Sequence, residues 1–270
     1  MKSAFDIALE LCHLFQQNLF RTRLLMGKSV RFYFVVSILL VWNVVIYADE
    51  PVNQAQSAAF GNARGIPNYL THSSPDEKAP DPNGFIQRWF LLEPIRQRSL
   101  RSNQQLTDSF VQAAVKREYF PNQFTVVPHD GDKVTVDDVE LTWHAVDTSK
   151  YNVSLYTFAY VLGKPTYNVL FWAVTIIDCP QEISGVRLAV GSNAASVWWI
   201  NDKEVIGIYG DRHMLIDDGV SKRITLKKGS NVIRSAVINS PGVSDFCARF
   251  LDSKGKPLKG FTVSVGETRK

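Results

Sequence analysis

Cysteine is scarce in this chain. Cys12, Cys179 and Cys247 are its only three in 270 residues, too few for a disulfide-stapled scaffold or a cysteine-rich metal module. Histidine is sparse and scattered: His13, His72, His129, His144 and His213 fall in no H-E-x-x-H or Cys-His spacing, so no metal motif can be read. A G-x-S-x-G elbow is absent, and so is a G-D-S block, which removes the local signatures of the common serine esterases. A strong basic excess is lacking as well. Once the five basic and two acidic residues before Asp49 are set aside, 25 basic and 24 acidic residues remain of the 30 and 26, and no footprint for nucleic acid survives.

Hydrophobic residues make up 45% of the chain, enough for a packed core. The uncharged run Phe32–Ala48 follows Lys28 and Arg31 and stops before Asp49-Glu50-Pro51, the arrangement of a secretory signal. At about 17 residues it is short for a membrane span, so a cleaved signal is preferred to an uncleaved anchor. Contact with a membrane is therefore expected only through Phe32 to Ala48. Met26 opens a more ordinary signal than Met1 does, offering a second start. The expected organisation is a leader over 1–48, a flexible Pro-, Asn- and Ser-rich linker over 49–83, and one folded domain over 84–270. The location implied is secreted or periplasmic, or membrane-anchored if the leader is retained.

Within the folded domain the central stretch is Val186 to Val205. Val186, Leu188 and Val190 alternate with other residues, Gly191-Ser192-Asn193 interrupts, and Val197 to Ile200 resumes before Asn201-Asp202. Adjacent strand residues face opposite sides, so Trp199 is assigned to the core and Trp198 to an outer or loop-rim face. Trp89, Trp143 and Trp172 lie in strongly alternating runs and are assigned to the core. Val169–Ile177, apolar on both faces, belongs at the centre of a sheet. Leu106 to Phe120 has helical spacing, with Thr107 as N-cap and Leu106, Phe110, Ala113 and Ala114 on one face. Ser154 to Leu162 is expected to be a strand, and Ile224 to Ile238 a hairpin around Lys227-Lys228-Gly229. Short strands at spacings of about 8 to 12 residues give an all-β fold, a jelly-roll β-sandwich with one short helix near its start.

Four segments taken in order carry a resemblance: G-F-I-Q-R-W-F-L-L-E-P-I, V-G-S-N-A-A-S-V-W-W-I-N-D-K-E-V, I-T-L-K-K-G-S-N-V-I-R-S-A-V and F-C-A-R-F-L-D-S-K-G-K-P-L-K-G-F-T-V. Together they resemble the galactose-binding-like β-sandwich modules of secreted bacterial proteins, which accompany acetylxylan esterases and glycoside hydrolases. The resemblance implies a β-sandwich and a secreted, carbohydrate-related setting. Asn201-Asp202-Lys203 departs from the family's Asn-Gly-Lys, and Asn193-Ala194 from its acidic residue and Gly.

Sugar recognition needs an exposed aromatic face and a few fixed polar groups. Trp198, Tyr209, Arg212, His213 and Asp218 are the candidate ligand-binding residues, in or beside the loops of the central stretch. No catalytic residue or cofactor is assigned. Calcium at Asp130 with Asp132, at Asp137, Asp138 and Glu140, or at Asp217 with Asp218 is weighed against solvated turns, and the turns are preferred. Cys179 and Cys247 are read either as one disulfide or as two free core thiols. Asn152-Val153-Ser154 is a glycosylation acceptor in a eukaryotic host. Three functions follow: a non-catalytic module binding polysaccharide or supporting a carbohydrate-active protein, an acetylxylan-esterase-like hydrolase, and a structural cell-envelope interaction protein.

Overall fold

The computed structural model describes residues 69–97, 107–193, 195–210, 212–239 and 242–265, all within the compact unit Gln54–Lys270. The expected leader, Cys12, the start of the expected linker and Leu106 lie outside the described residues.

The described chain is mostly β, in two antiparallel sheets. The larger contains β1 (Leu70–His72), β2 (Arg88–Leu92), β3 (Ile95–Arg96), β4 (Lys133–Val136), β5 (Val139–Thr148), β7 (Val169–Cys179), β9 (Ala195–Ile200), β10 (Lys203–Ile208), β13 (Gly229–Asn239) and β15 (Thr262–Ser264). The smaller contains β6 (Val153–Ser154), β8 (Ile183–Ser192), β11 (Gly219–Val220), β12 (Ile224–Leu226) and β14 (Asp245–Leu251). Strand β7 is central, as its two apolar faces require. Strand β13 pairs along its whole length on one edge, while β3, β2 and β15 follow one another along the other.

The larger sheet buries both of its faces. One packs on the smaller sheet, where Trp89, Trp198, Phe246 and Phe250 join Leu188 and Val190. The other is covered by helix α1 (Asp108–Lys116) and the segment after it, which lays Phe120, Phe124 and Val126 over Trp143, Trp172 and Trp199. Thr107 caps α1 by accepting from Phe110 N, as expected. Val111, Ala114 and Val115 are the fully buried positions, an i, i+3, i+4 set; Phe110 packs half-buried against the same core, and Ala113 is exposed. Arg234, only 2% exposed, reaches from β13 through the guanidinium to the Thr125 and Val126 carbonyls and to Asp202. That contact accounts for Asp202: with φ of 47° and 69°, Asn201 and Asp202 form a left-handed turn in which Gly would be easier, and the carboxylate holds Arg234.

Three further expectations are corrected. Part of the supposed linker is folded: Leu70–His72 pairs with Val146–Thr148, and Lys78 bridges Val263. Ser154 to Leu162 is not a strand. Ser154 accepts from Thr157 N and starts helix α2 (Leu155–Val161), burying Leu155, Phe158 and Ala159 at helical spacing. Ile224–Leu226 and Gly229–Asn239 are not a hairpin, since β12 pairs with β8 in the smaller sheet and β13 with β7 and β9 in the larger. The turn is a crossover, fixed by Asn231, whose side chain accepts from Lys227 N and donates to Lys227 O. Of the two alternatives expected for the cysteines, Cys179 and Cys247 are free, buried thiols. Cys179 lies in the core between the sheets, whereas Cys247 points away from that core, opposite Gly191 on the outer side of β14.

Candidate ligand-binding surfaces

The loop from Tyr209 to Gly219 holds most of the residues singled out by sequence. It crosses the outer side of the smaller sheet so closely that a Cβ on Gly191 would lie 2.0 Å from the Leu215 carbonyl oxygen, so glycine is required there. Asp217, in the left-handed region at φ 59°, accepts from Arg249 Nε at 2.9 Å. Arg212 and Asp218 form an ion pair across the loop. His213, Leu215 and Ile216 are exposed beside it.

The other two candidates, one at the start of this loop and one in β9, turn away from it. Tyr209 turns to the opposite face of β10, packs against the α1-covered core and lies over Gly207. Burial, then the charges of Glu204 and Asp108, push its phenol up. Trp198 is fully buried between the sheets and donates from Nε1 to Ser196 Oγ at 2.9 Å. The expectation that it lines a surface is corrected, because a sheet with two covered faces buries both members of an adjacent Trp pair.

In the acidic turns, carboxylates meet the protein's own basic side chains. Asp130 meets His72, Asp132 meets His129, Asp137 meets Arg117 and Glu140 meets Lys133. Among the described residues no group of three or more His, Cys, Asp or Glu is placed to hold a metal ion.

An aromatic surface that the strand reading of Ser154–Leu162 concealed lies on α2. Burying Leu155, Phe158 and Ala159 turns Tyr156 and Tyr160, one helical turn apart, to solvent. Their rings are near-parallel, at 8° and 6.1 Å between centroids, with 39% and 38% exposure. Tyr151, before the helix, and Tyr167, after it, are also exposed. The i, i+4 spacing of Tyr156 and Tyr160 behind a capping Ser154 was the available signal.

Helix α2 is anchored at both ends. Tyr156 N donates to Ser244 O. Beyond the C-terminus, Lys164 Nζ lies 2.9 Å from Glu93 Oε2, and His144 Nε2 is 3.6 Å from Glu93 Oε1. Burial raises the Glu93 pKa, but the bonds from His144 and Lys164 outweigh it, so the carboxyl sits below its ordinary value. Next to Ser244, the buried Asp245 accepts from the Asn152 amide at 2.8 Å and from the Asn193 amide. Asn193 Oδ1 in turn accepts from Met214 N at 2.7 Å. Asp245 thus ties together the approach to α2, the turn between β8 and β9, and the Tyr209–Gly219 loop. Burial without a cation pushes its pKa up, opposed by the Asn152 amide.

No family model matches this chain, and no curated protein sequence matches it. Among solved structures it is similar to a β-glucosidase from Kluyveromyces marxianus in complex with glucose, at 20% identity and a TM-score of 0.31. That match covers 46% of this chain and only 16% of the β-glucosidase. A PA14 sugar-binding domain from an RTX adhesin is 12% identical with a TM-score of 0.37, over 66% of this chain and 98% of that domain. The Epithelial Adhesin 9 A domain from Candida glabrata, in complex with Galb1-4GlcNAc, is 9% identical with a TM-score of 0.30, over 73% and 99% of the two chains.

Proposed function

We propose that this chain is a secreted, non-catalytic β-sandwich of jelly-roll connectivity that binds carbohydrate, alongside a carbohydrate-active partner such as an esterase or glycoside hydrolase. The exposed Tyr156–Tyr160 pair carries the reading. A pyranose ring presents an apolar C–H face, and the exposed carbon surface of the stacked phenol pair offers it something to pack on, with hydroxyls at the ring tips to bond sugar hydroxyls. The helix is short, yet its cap at Ser154, its buried underside and the Lys164–Glu93 ion pair hold the rings in place before a ligand arrives. Such preorganisation reduces the ordering cost of binding. Export is inferred from Phe32–Ala48 following Lys28 and Arg31, with a mature chain starting near Asp49.

Affinity electrophoresis of the full-length protein through gels containing a panel of neutral polysaccharides tests the reading. Retardation by at least one glycan is expected, with loss of retardation in Tyr156→Ala/Tyr160→Ala and a thermal midpoint that moves by only a few degrees, since both side chains lie on the solvent side of α2, outside the core. Retardation that survives the double substitution would remove the platform. Turnover of an acetyl-ester substrate by the purified chain would instead identify an enzyme. N-terminal sequencing of the exported protein checks the processing site.

A further inference from the structure

At the other end of the smaller sheet from Asp245, cations outnumber carboxylates among the described residues. Arg187 and Arg249 project from the same outer side of that sheet, on strands paired through Ala189↔Arg249 and Arg187↔Leu251. Arg249 holds Asp217 through Nε and a second guanidinium nitrogen. Among the described residues no carboxylate lies within ion-pair distance of Arg187, and its Nε is buried without a hydrogen-bond partner. Arg223, exposed between β11 and β12, likewise has no carboxylate, and its guanidinium donates only to the Gly185 and Ser253 carbonyls, at 3.0 and 3.3 Å. Both guanidinium groups lie against one turn, 252–257: Arg223 through Ser253, and Arg187 beside Gly255.

That turn adds Lys254 and Lys256, both exposed. Its own carboxylate, Asp252, accepts from the Lys254 and Lys256 backbone N–H groups at 2.8 and 2.9 Å and offsets part of the charge of those two lysines, which leaves the turn with a net positive charge. Glu182 is the next acid along the chain, and it accepts from Ser184. The exposed hydroxyls of Ser184 and Thr225, 3.3 Å apart, border the cluster on the Arg223 side.

We propose that Arg187, Arg223, Lys254 and Lys256 form a binding site for an acidic polysaccharide, one bearing uronate carboxylates or sulfate esters. Guanidinium groups held against one turn without an ion-paired carboxylate repel each other, and a bound oxyanion relieves that repulsion while supplying acceptors for the unused donors. The cluster is local, and the chain beyond Ala48 is close to neutral, so it lacks the long basic stripe that nucleic acid requires. The choice of a glycan as the carrier of the anion rests on the function proposed above. The site itself is separate from the Tyr156–Tyr160 surface.

The test is binding of the full-length protein to polygalacturonate and to chondroitin sulfate, with a neutral glycan, a DNA duplex and anionic phospholipid vesicles as comparators. Affinity for at least one acidic glycan is expected to fall at least about tenfold between ~50 mM and ~500 mM salt, as screening shortens. Arg187→Gln/Arg223→Gln should lower it by a similar factor, about that expected for losing charge-assisted contacts. Lys254→Gln/Lys256→Gln, on an exposed turn, should lower it in the same direction and guards against misfolding of the arginine variant. Tyr156→Ala/Tyr160→Ala should leave this salt-sensitive binding in place, so the two sites fail separately. No binding to either acidic glycan at low salt overturns the proposal. So does binding that both cation variants leave unchanged, or equal affinity for DNA or vesicles.

Discussion

Trp198 and Trp199 are neighbours in β9 yet belong to different cores. Trp198 meets Trp89 edge-on at 6.2 Å and Phe246 at 5.5 Å between the sheets, whereas Trp199 stacks on Trp172 at 5.5 Å and 21° beneath the α1-side cover. Each side chain fills a space that nothing else occupies. Both Trp198→Ala and Trp199→Ala should therefore lower stability, by about 3 to 5 kcal/mol each, as large aromatic truncations in cores do. Urea unfolding of the two variants measures this. A loss below about 1 kcal/mol for either would mean that its face of the sheet is not packed in solution.

The cover over Trp199 depends on Arg234. Its guanidinium donates to the Thr125 and Val126 carbonyls and pairs with Asp202, so truncation leaves two carbonyls without donors beside an apolar core. Arg234→Ala should cost about 2 to 4 kcal/mol through those unsatisfied groups. Amide hydrogen exchange in 122–127 should quicken before the rest of the domain responds. Uniform acceleration across β7 and β13 would place Arg234 in the global fold instead.

Cys247 lies beneath the Leu215 carbonyl, and burial pushes its thiol up to about 12, so little thiolate exists at neutral pH. Iodoacetamide should leave Cys247 unmodified in the native protein and modify it rapidly after denaturation. Peptide mapping without reductant should find no bridge between Cys179 and Cys247. A linked peptide pair would contradict the placement of Cys247 outside the inter-sheet core.

Strand periodicity revealed the part of this fold that depends on local pattern. Trp89, Trp143 and Trp172 sit in alternating or doubly apolar runs, and all three are buried. Strand β7 reads as central because both of its faces are apolar, and it is. The same observation, applied to β9, would have predicted that Trp198 and Trp199 are both interior. Assuming a single interior face produced that error. Leu155–Val161 misled for a different reason: Leu-Tyr-Thr-Phe-Ala-Tyr-Val is rich in strand-favouring residues, and its helix is imposed by the Ser154 cap and by tertiary burial of Leu155, Phe158 and Ala159. The Arg187–Arg223 pair was not legible, since it is assembled from β8 and the turn after β11, 36 residues apart, and depends on which carboxylates fail to reach it.

A half-buried and a buried carboxylate, Asp147 and Asp245, should give opposite pH slopes. Asp147 is pushed up by burial, but bonds from Arg88 and Ser73, with the charges of Lys78 and Arg88, more than offset this, so its pKa lies below the ordinary Asp value. A carboxyl that is more acidic in the folded chain releases its proton there first. Its stabilising contribution is complete above the unfolded pKa, near 4, and is lost as pH falls through the lower folded value. Asp147→Asn leaves the nearly buried Arg88 without its counter-charge, at a cost of about 3 to 5 kcal/mol at neutral pH, and that cost should shrink as the wild type is acidified below pH ~4. Asp245 runs the other way. Burial raises its pKa, and the Asn152 amide offsets only part of this, so the folded chain holds the proton more tightly than the unfolded one. As pH rises from about 4 through that raised value, Asp245 contributes a growing penalty. Asp245→Asn should consequently gain on the wild type as pH rises over that interval, whatever its offset at low pH from the altered bonds to Asn152 and Asn193. Urea midpoints of the three proteins from pH 3 to 7 measure both effects. Difference curves that slope the same way would mean that one of the two carboxyls is not held as the structure places it.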